Sequence, residues 1–485
     1  MKNKKNILLI STDHWPAALM GYMNDKSIMT PTLDSIAKDG VTFTNCYSTC
    51  PVCIPARRGL MTGLFPKSHG DRVYSDHMPM PNVRTMADSF SQAGYQTFGV
   101  GKMHVYPQRD RVGFDDIILM EEGRYELGSV DDYQTWLGEN CLAGQEFLHG
   151  MGSNSYYTRP WHLDEKAHPT VWATKQMATM IKRKDPTRPA FFYMSYQFPH
   201  PPLVPLQAYL DMYDDVEIEE PVYGDWIDDD TIIKYMQETA NEYDLRDIKR
   251  AKKAFFAQCT LIDHQLRILI GTLRETGLLD DTIIGFFSDH GDSLFDHGIC
   301  AKRNFYEGST NVPFLLGGKP LEKYRGEIRN DIICHEDFMP TLLDLCGIDI
   351  PSHVEGLSLF SDNPRKMLYG EVSEGLKATR MVRYDKYKLI YYPYGNVFQF
   401  FNLEKDPKEL HNAHGEEGYK DVEKEMIDYL KVNLYGDDLK WLDNGRLVGF
   451  EDPEFKSSPK YSLYNQRGYH WPSPKAGYSA VGKNA

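Results

Sequence analysis

The sequence predicts an α/β fold: a mixed, mostly parallel sheet flanked by helices on both faces, with a smaller C-terminal antiparallel-sheet subdomain. Three observations carry that reading. Short apolar runs, each ending in ionisable residues, alternate with helical patterns over the first 365 residues. Helix stop signals, mostly glycine, close those patterns. Beyond about residue 365 the chain changes to segments rich in aromatic and β-branched residues, separated by turn formers. The expected division is therefore residues 1–365, the larger α/β unit, and residues 366–485, the smaller unit with its extended tail.

In chain order, the first strand spans residues 7–10 and runs into Ser11-Thr12-Asp13-His14. A helix over residues 31–38 stops at Gly40, and a second over 85–93 starts on a cap-like Thr85 and stops at Gly94. The strand over 95–100 leads into Gly101-Lys102-Met103-His104. A proline opens the helix over 169–182, and the strand over 190–195 leads toward His200. The acidic, turn-rich residues 211–230 read as a surface insertion. A long helix over 246–276 carries Phe255, Leu261, Leu266 and Ile270 and ends at Gly277. The strand over 282–287 leads into Ser288-Asp289-His290-Gly291-Asp292. Residues 378–384, 386–392 and 397–403 make the antiparallel sheet, and the tail from Asp452, with Tyr469, His470 and Trp471, is a candidate contact for a second copy in a homo-oligomer. Buried parallel strands present ligand-binding groups at their carboxyl ends, which is where the ionisable residues fall.

Composition narrows the chemistry. A chain of 485 residues is long enough for a large core. Its formal charge of −15 argues against a broad nucleic-acid surface, so an anionic substrate needs a local positive site. No stretch is long and apolar enough to span a bilayer, and the apolar run after the basic start Met1-Lys2-Asn3-Lys4-Lys5 is too short for a secretion signal. With eight scattered cysteines that form no disulfide framework, the expected compartment is the cytoplasm.

The densest cue is Cys53-Ile54-Pro55-Ala56-Arg57, closed by Thr62-Gly63. Proline suits the first turn of a helix. Cys53 then lies at a helix N-terminus, where free N–H groups favour an anion, and Arg57 adds a fixed charge one turn on. Asp13, Asp289 and His290, at two strand ends, suit a divalent cation. Taken singly, an aspartate after a strand is more often a cap; two strands ending alike in Asp-His shift that balance. Lys102, His104, His200 and Lys302 supply positive charge and proton-transfer groups for an anionic ester. Tyr74, His77, Arg109 and Arg111 are weaker candidates for the pocket wall. Cys46, Cys50 and Cys53 also fit the C-x3-C-x2-C spacing of a radical iron–sulfur enzyme, a reading that leaves Pro55, Arg57 and both Asp-His pairs without a role. A binding protein with an unmodified thiol is a further alternative.

These residues resemble the sulfatase family. Cys53 to Arg57 followed by Thr62-Gly63 matches its C-x-P-x-R…T-G signal for oxidising cysteine to formylglycine, and the likeness extends through Asp13, residues 101–104, His200, Asp289-His290-Gly291 and Lys302 to Asn402-Leu403-Glu404-Lys405-Asp406-Pro407. The resemblance implies an alkaline-phosphatase-like fold, a sulfate ester substrate of small-molecule or carbohydrate type, and a maturation enzyme that generates formylglycine at residue 53. It implies a divalent metal, Ca²⁺ before Mg²⁺ or Mn²⁺, held by Asp13, His14, residue 53, Asp289 and His290. Arg57 and Lys102 then hold the hydrated aldehyde and the metal-bound oxygens, Lys302 and His200 bind sulfate and one of them protonates the leaving alcohol, and His104 takes the proton that releases sulfate. His14 stands where the family often has a second acidic residue, so whether it ligates through nitrogen is open. Phosphonate monoester and phosphodiester hydrolases share the motif and are the alternative function.

Overall fold

The computed structural model describes residues 5–124, 129–227 and 243–451. The tail from Asp452 lies outside the described residues. In the first sheet are β1 (Asn6–Asp13), β2 (Val41–Phe43), β4 (Gln96–Gly101), β5 (Asp116–Leu119), β6 (Ala190–Pro199), β7 (Thr282–Ser288), β8 (Phe314–Gly317) and β9 (Glu327–Arg329); a short parallel pair, β3 (Cys46–Tyr47) and β10 (Ile333–Cys334), lies beside it. The strand order is β5-β4-β6-β1-β7-β8-β2-β9, with β8 alone antiparallel to its neighbours.

Strand side chains alternate between faces, and the core divides accordingly. Leu8 and Ile10, Phe192 and Met194, and Ile284 and Phe286 face the helices Pro169–Arg183 and Leu245–Glu275. Ile7 and Leu9, Phe191 and Tyr193, and Ile283 and Phe287 face Cys53–Thr62, Met86–Gln92 and Phe338–Leu345. Both faces are covered, which is why the central strands read as continuous apolar runs. Thr85 caps its helix as expected, accepting from the Asp88 N–H at 3.1 Å.

The second sheet is wholly antiparallel: β11 (Met367–Val372), β12 (Thr379–Tyr384), β13 (Tyr387–Tyr392) and β14 (Val397–Asn402). One face takes the helix Lys420–Asn433 through Met426 and Leu430. The other, through Val372, Met381, Ile390 and Phe401, packs on Cys50, Val52, Phe305 and Tyr306. The small sheet therefore supports the loop that leads into Cys53.

One expectation needs correction. Residues 211–227 are not simply a surface insertion, because Tyr213, Ile218 and Trp226 are buried. Trp226 stacks on Tyr306 at 4.8 Å, and its indole N–H donates to Glu409 O at 2.8 Å. Sparse apolar anchors, invisible in an acidic average, hold the segment down. Among the described residues no helix is long and apolar enough to cross a membrane.

Candidate active site

Four strand ends meet the start of one helix. Asp13 closes β1, Lys102 and His104 follow β4, His200 follows β6, and Asp289 and His290 follow β7. The helix Cys53–Thr62 begins at Cys53, with Val52 at its N-cap. Arg57, one turn in, ties the ends together. Its Nε donates to Asp289 Oδ2 (2.9 Å), Nη1 to Lys102 O (2.7 Å) and Ser195 Oγ (2.8 Å), and Nη2 to Asp13 Oδ2 (3.4 Å). One planar guanidinium thus cross-links β1, β4, β6 and β7, which a lysine cannot do. Close approach also requires Gly101 (φ +104°), where a Cβ would sit 1.9 Å from Ser195 O. His14 (φ 76°) and His104 (φ 58°) both adopt the left-handed conformation uncommon outside glycine.

Around the Cys53 sulfur stand Lys302 Nζ (3.1 Å), His290 Nε2 (3.2 Å) and Asp13 Oδ1 (3.7 Å). Burial and Asp13 push the thiol pKa up, but Lys302, Lys102 and His290 outweigh them and leave it lowered. Burial likewise acts to raise Asp13, yet Lys102 and the neighbouring cationic groups hold it well below its usual range. Lys102 Nζ, fully buried, donates to Asp13 Oδ2 and Glu122 Oε1, both at 2.6 Å. His104 and His200 are held well below the usual histidine value, by burial first and then by Arg124 and Lys302 respectively.

Asp13, Cys53, Asp289 and His290 place four potential ligand atoms within 4.8 Å of one another. His290 Nε2 is 3.4 Å from Asp13 Oδ1 and 3.6 Å from Asp289 Oδ1. Oxygen ligands on one cation at roughly 2.3–2.6 Å stand about 3.3–3.7 Å apart at right angles, so the donor set fits. His290 Nδ1–H donates to Gly291 O (2.9 Å), which turns a bare Nε2 to the cluster. Burial lowers the pKa of His290, but Asp289 and Cys53 overcome that and raise it, so a cation bound here would compete with a proton for the same nitrogen.

His14 stands beside this group. Its Nδ1 is 2.7 Å from Asp292 Oδ2, and its Nε2 is 2.6 Å from Lys302 Nζ. Because lysine only donates, Nε2 accepts and Nδ1 carries the proton. Burial and the Lys302 charge push His14 down to about 4. Asp292 is held in turn by the Tyr156 hydroxyl and the N–H groups of Leu294 and Ala301. His14 also belongs to a second grouping with Asp13 and His200. Tyr74 reaches the site beside His104. His77 packs on Tyr106, while Arg109 and Arg111 are exposed and bond to Asp132 and to Asp115 O. The three cysteines do not converge: Cys50 Sγ lies 3.7 Å from Arg72 O, and Cys46 is in the core. Glu121, Glu122, Arg124, Tyr156 and Ser195 escaped sequence reasoning. Glu121 and Glu122 directly follow an apolar run at β5, the same signal that marked the other strand ends.

The family profile described as Sulfatase matches residues 5–348. The chain belongs to the sulfatase family. A second profile, for the N-sulphoglucosamine sulphohydrolase C-terminal region, matches residues 295–434. The sulfatase is 37% identical over 472 residues to an arylsulfatase of Clostridium perfringens (strain 13 / Type A), covering 93% of this chain and 96% of that one. It is 29% identical over 432 residues to a choline-sulfatase of Rhizobium meliloti (strain 1021), covering 84% and 82%. Among solved structures, a phosphonate monoester hydrolase of Agrobacterium radiobacter shares the fold with a TM-score of 0.77 at 20% identity, over 90% of this chain and 97% of that one. The fold is alkaline-phosphatase-like, and the sulfatase is a sulfuric ester hydrolase. The family implies a metal and formylglycine, and the acidic and imidazole donors described above suit the former.

Proposed function

We propose that the sulfatase hydrolyses the sulfate ester of a carbohydrate or other small organic alcohol, and that residue 53 acts as formylglycine made from Cys53 by a separate maturation enzyme. The observation that carries this reading is the convergence of Lys302 Nζ, His290 Nε2 and Asp13 Oδ1 on the Cys53 sulfur. Asp13, residue 53, Asp289 and His290 are the metal ligands in this reading, and the two carboxylates make Ca²⁺ the ion we propose. When bound, the ion supplies Lewis-acid polarisation of its oxygen ligands. Arg57 and Lys102 balance the two carboxylates and keep them oriented. Lys302 and His200 hold sulfate, and one of them returns a proton to the leaving alcohol. His104 takes the proton that residue 53 gives up when sulfate departs.

A pocket lined by Glu122, Glu146, Phe147, Trp161, Gln197 and Pro201 adjoins these groups. Glu122 bonds Lys102, and the Pro201 carbonyl lies 2.5 Å from His200 Nδ1. Its aromatic and polar lining supports an organic alcohol as the part of the substrate beyond sulfur. A sulfatase-fold protein solved with its substrate D-glucosamine-2-N,6-O-disulfate, at 22% identity and a TM-score of 0.71 over 88% of this chain and 97% of that one, is consistent with a sugar ester. The compartment we propose is the cytoplasm, on the sparse, scattered cysteines. The test pairs two measurements on protein from the natural host. Peptide mass across residue 53 is expected to show an aldehyde in place of the thiol. A panel of sulfate, phosphonate and phosphodiester model esters is expected to show fastest turnover of sulfate; an intact thiol, or preference for a phosphorus ester, overturns the reading.

A further inference from the structure

Lys102 and His104 are joined by a chain of side chains that has no role so far. Glu122 accepts from Lys102 Nζ with one oxygen and from Arg124 Nη2 with the other, each at 2.6 Å. Arg124 Nη1 donates to the Tyr74 hydroxyl oxygen at 2.8 Å, and that oxygen stands 3.1 Å from His104 Nε2. The Tyr74 ring meets the imidazole edge-on, with centroids 5.5 Å apart at 80°. The main chain of His104 is fixed independently, its N–H donating to Glu121 Oε1 at 3.0 Å. What Tyr74 and Arg124 add is control of the ring.

We infer that Tyr74, locked by Arg124, is a positioning residue that sets the tautomer of His104, with the proton on Nε2 and the lone pair on Nδ1. The inference rests on the reading of His104 as the base. Guanidinium only donates, so the Tyr74 oxygen accepts from Arg124; its hydroxyl can then offer His104 Nε2 either its second lone pair or its O–H, and the surroundings of Nδ1 decide between them, because Tyr74 is only half-buried and His104 is fully buried. His104 Nδ1 is buried and has no hydrogen-bond partner among the described residues. A proton there would make a buried N–H with no acceptor, which folded proteins avoid more strictly than an acceptor with no donor. A proton on Nε2 instead finds the Tyr74 oxygen. Burial, with the charges of Arg124, Lys102 and Arg57 only partly offset by Glu122, keeps the ring neutral, so it carries one proton. Nδ1 is then free to receive the proton released by residue 53.

The test reads the tautomer directly. In the full-length protein labelled with ¹⁵N-histidine, long-range ¹H–¹⁵N correlations are recorded, and the His104 signals are identified by their loss in His104→Ala. The wild type is expected to show a protonated Nε2 and a bare Nδ1. Tyr74→Phe is expected to move proton density to Nδ1 and to lower kcat on 4-nitrophenyl sulfate about 10- to 100-fold, with KM within about threefold. Arg124→Gln gives the same direction, with partial recovery in Arg124→Lys, and serves in place of Tyr74→Phe if that variant does not fold. Protonated Nδ1 in the wild type overturns the inference, as does an unchanged tautomer in the folded variants. Full activity in His104→Ala overturns the role of His104 as the base, whereas the tautomer measurement judges Tyr74 by itself.

Discussion

Two buried charge clusters hold this sulfatase together, and they are built on opposite plans. At the joint between the sheets, Asp438 accepts from both Arg72 and Arg380, with contacts of 2.8–3.1 Å. The remaining Arg380 N–H groups end on the carbonyls of Val372, Ser373 and Thr379, and Arg72 also pairs with Glu371 and Glu374. Lys388 is closed in the same way between Glu307 and Glu409. In the active site, Arg57 is equally saturated, but its neighbours are not. Lys302 Nζ divides itself between His14 and the Cys53 sulfur, and His104 Nδ1 has no hydrogen-bond partner among the described residues. The joint satisfies its charges among themselves, whereas the site turns Lys302 onto the Cys53 sulfur and keeps a ring nitrogen of His104 uncommitted. Saturated networks rigidify, and groups left over at a site are those that act.

Breaking each cluster at its centre separates the two plans. Cys53→Ala removes the atom on which the site converges and is expected to cut turnover of 4-nitrophenyl sulfate on the order of 10⁴-fold or more. Its thermal midpoint should stay within about 1 °C of wild type, because no saturated network loses a member. Asp438→Ala should do the reverse. It strands the buried Arg380 guanidinium and leaves Arg72 with Glu371 and Glu374, a loss of about 3–5 kcal/mol, and the melting midpoint should fall roughly 3–5 °C in a chain of this length. The folded fraction, assayed in the cold, should keep kcat within about threefold, since no group near residue 53 has changed. Asp437→Ala, at an exposed neighbour paired with Lys440, is the control and should change little. A cold, folded Asp438→Ala protein without activity would mean that the joint and the site are one cooperative unit.

The contrast also explains what the sequence made legible. The candidate site announced itself because its ionisable side chains follow apolar strands: Asp13, Lys102, His200 and Asp289 each stand at such an end, and Pro55 suits the first turn of a helix that sets Arg57 one turn from Cys53. The long helices were legible from period and caps, as at Thr85. The joint was not, because Arg72, Glu371, Arg380 and Asp438 are ordinary charged residues far apart in the chain, and nothing local distinguishes a buried pair from a solvated one. The antiparallel β8 and the short β2 and β9 were missed for a related reason: three- and four-residue strands carry too little period to read. His14 shows the limit within the site itself. Its neighbour Asp13 predicts that it lies near the candidate metal ligands, but only the fold shows Asp292 and Lys302 on its two ring nitrogens.

The smallest expected effect lies where the two plans meet, at Glu121. This carboxyl sits beside the candidate site but behaves like the joint, accepting from the main-chain N–H groups of Met103 (2.6 Å) and His104 (3.0 Å). Burial pushes its pKa up to about 7 from a usual 4.5, although those N–H bonds and Lys102 and Arg124 pull the other way. Between these two values the folded chain holds a proton that the unfolded chain has lost. Stability from this group is therefore fully present below about pH 4.5, falls as pH rises toward 7, and is flat above. Glu121→Gln cannot titrate. Urea unfolding of both proteins at pH 5 and pH 8 should show wild type losing ground to the variant at the higher pH. A wild-type advantage that grows with pH would place the ionised carboxylate, and not its neutral form, as the natural state of this frame.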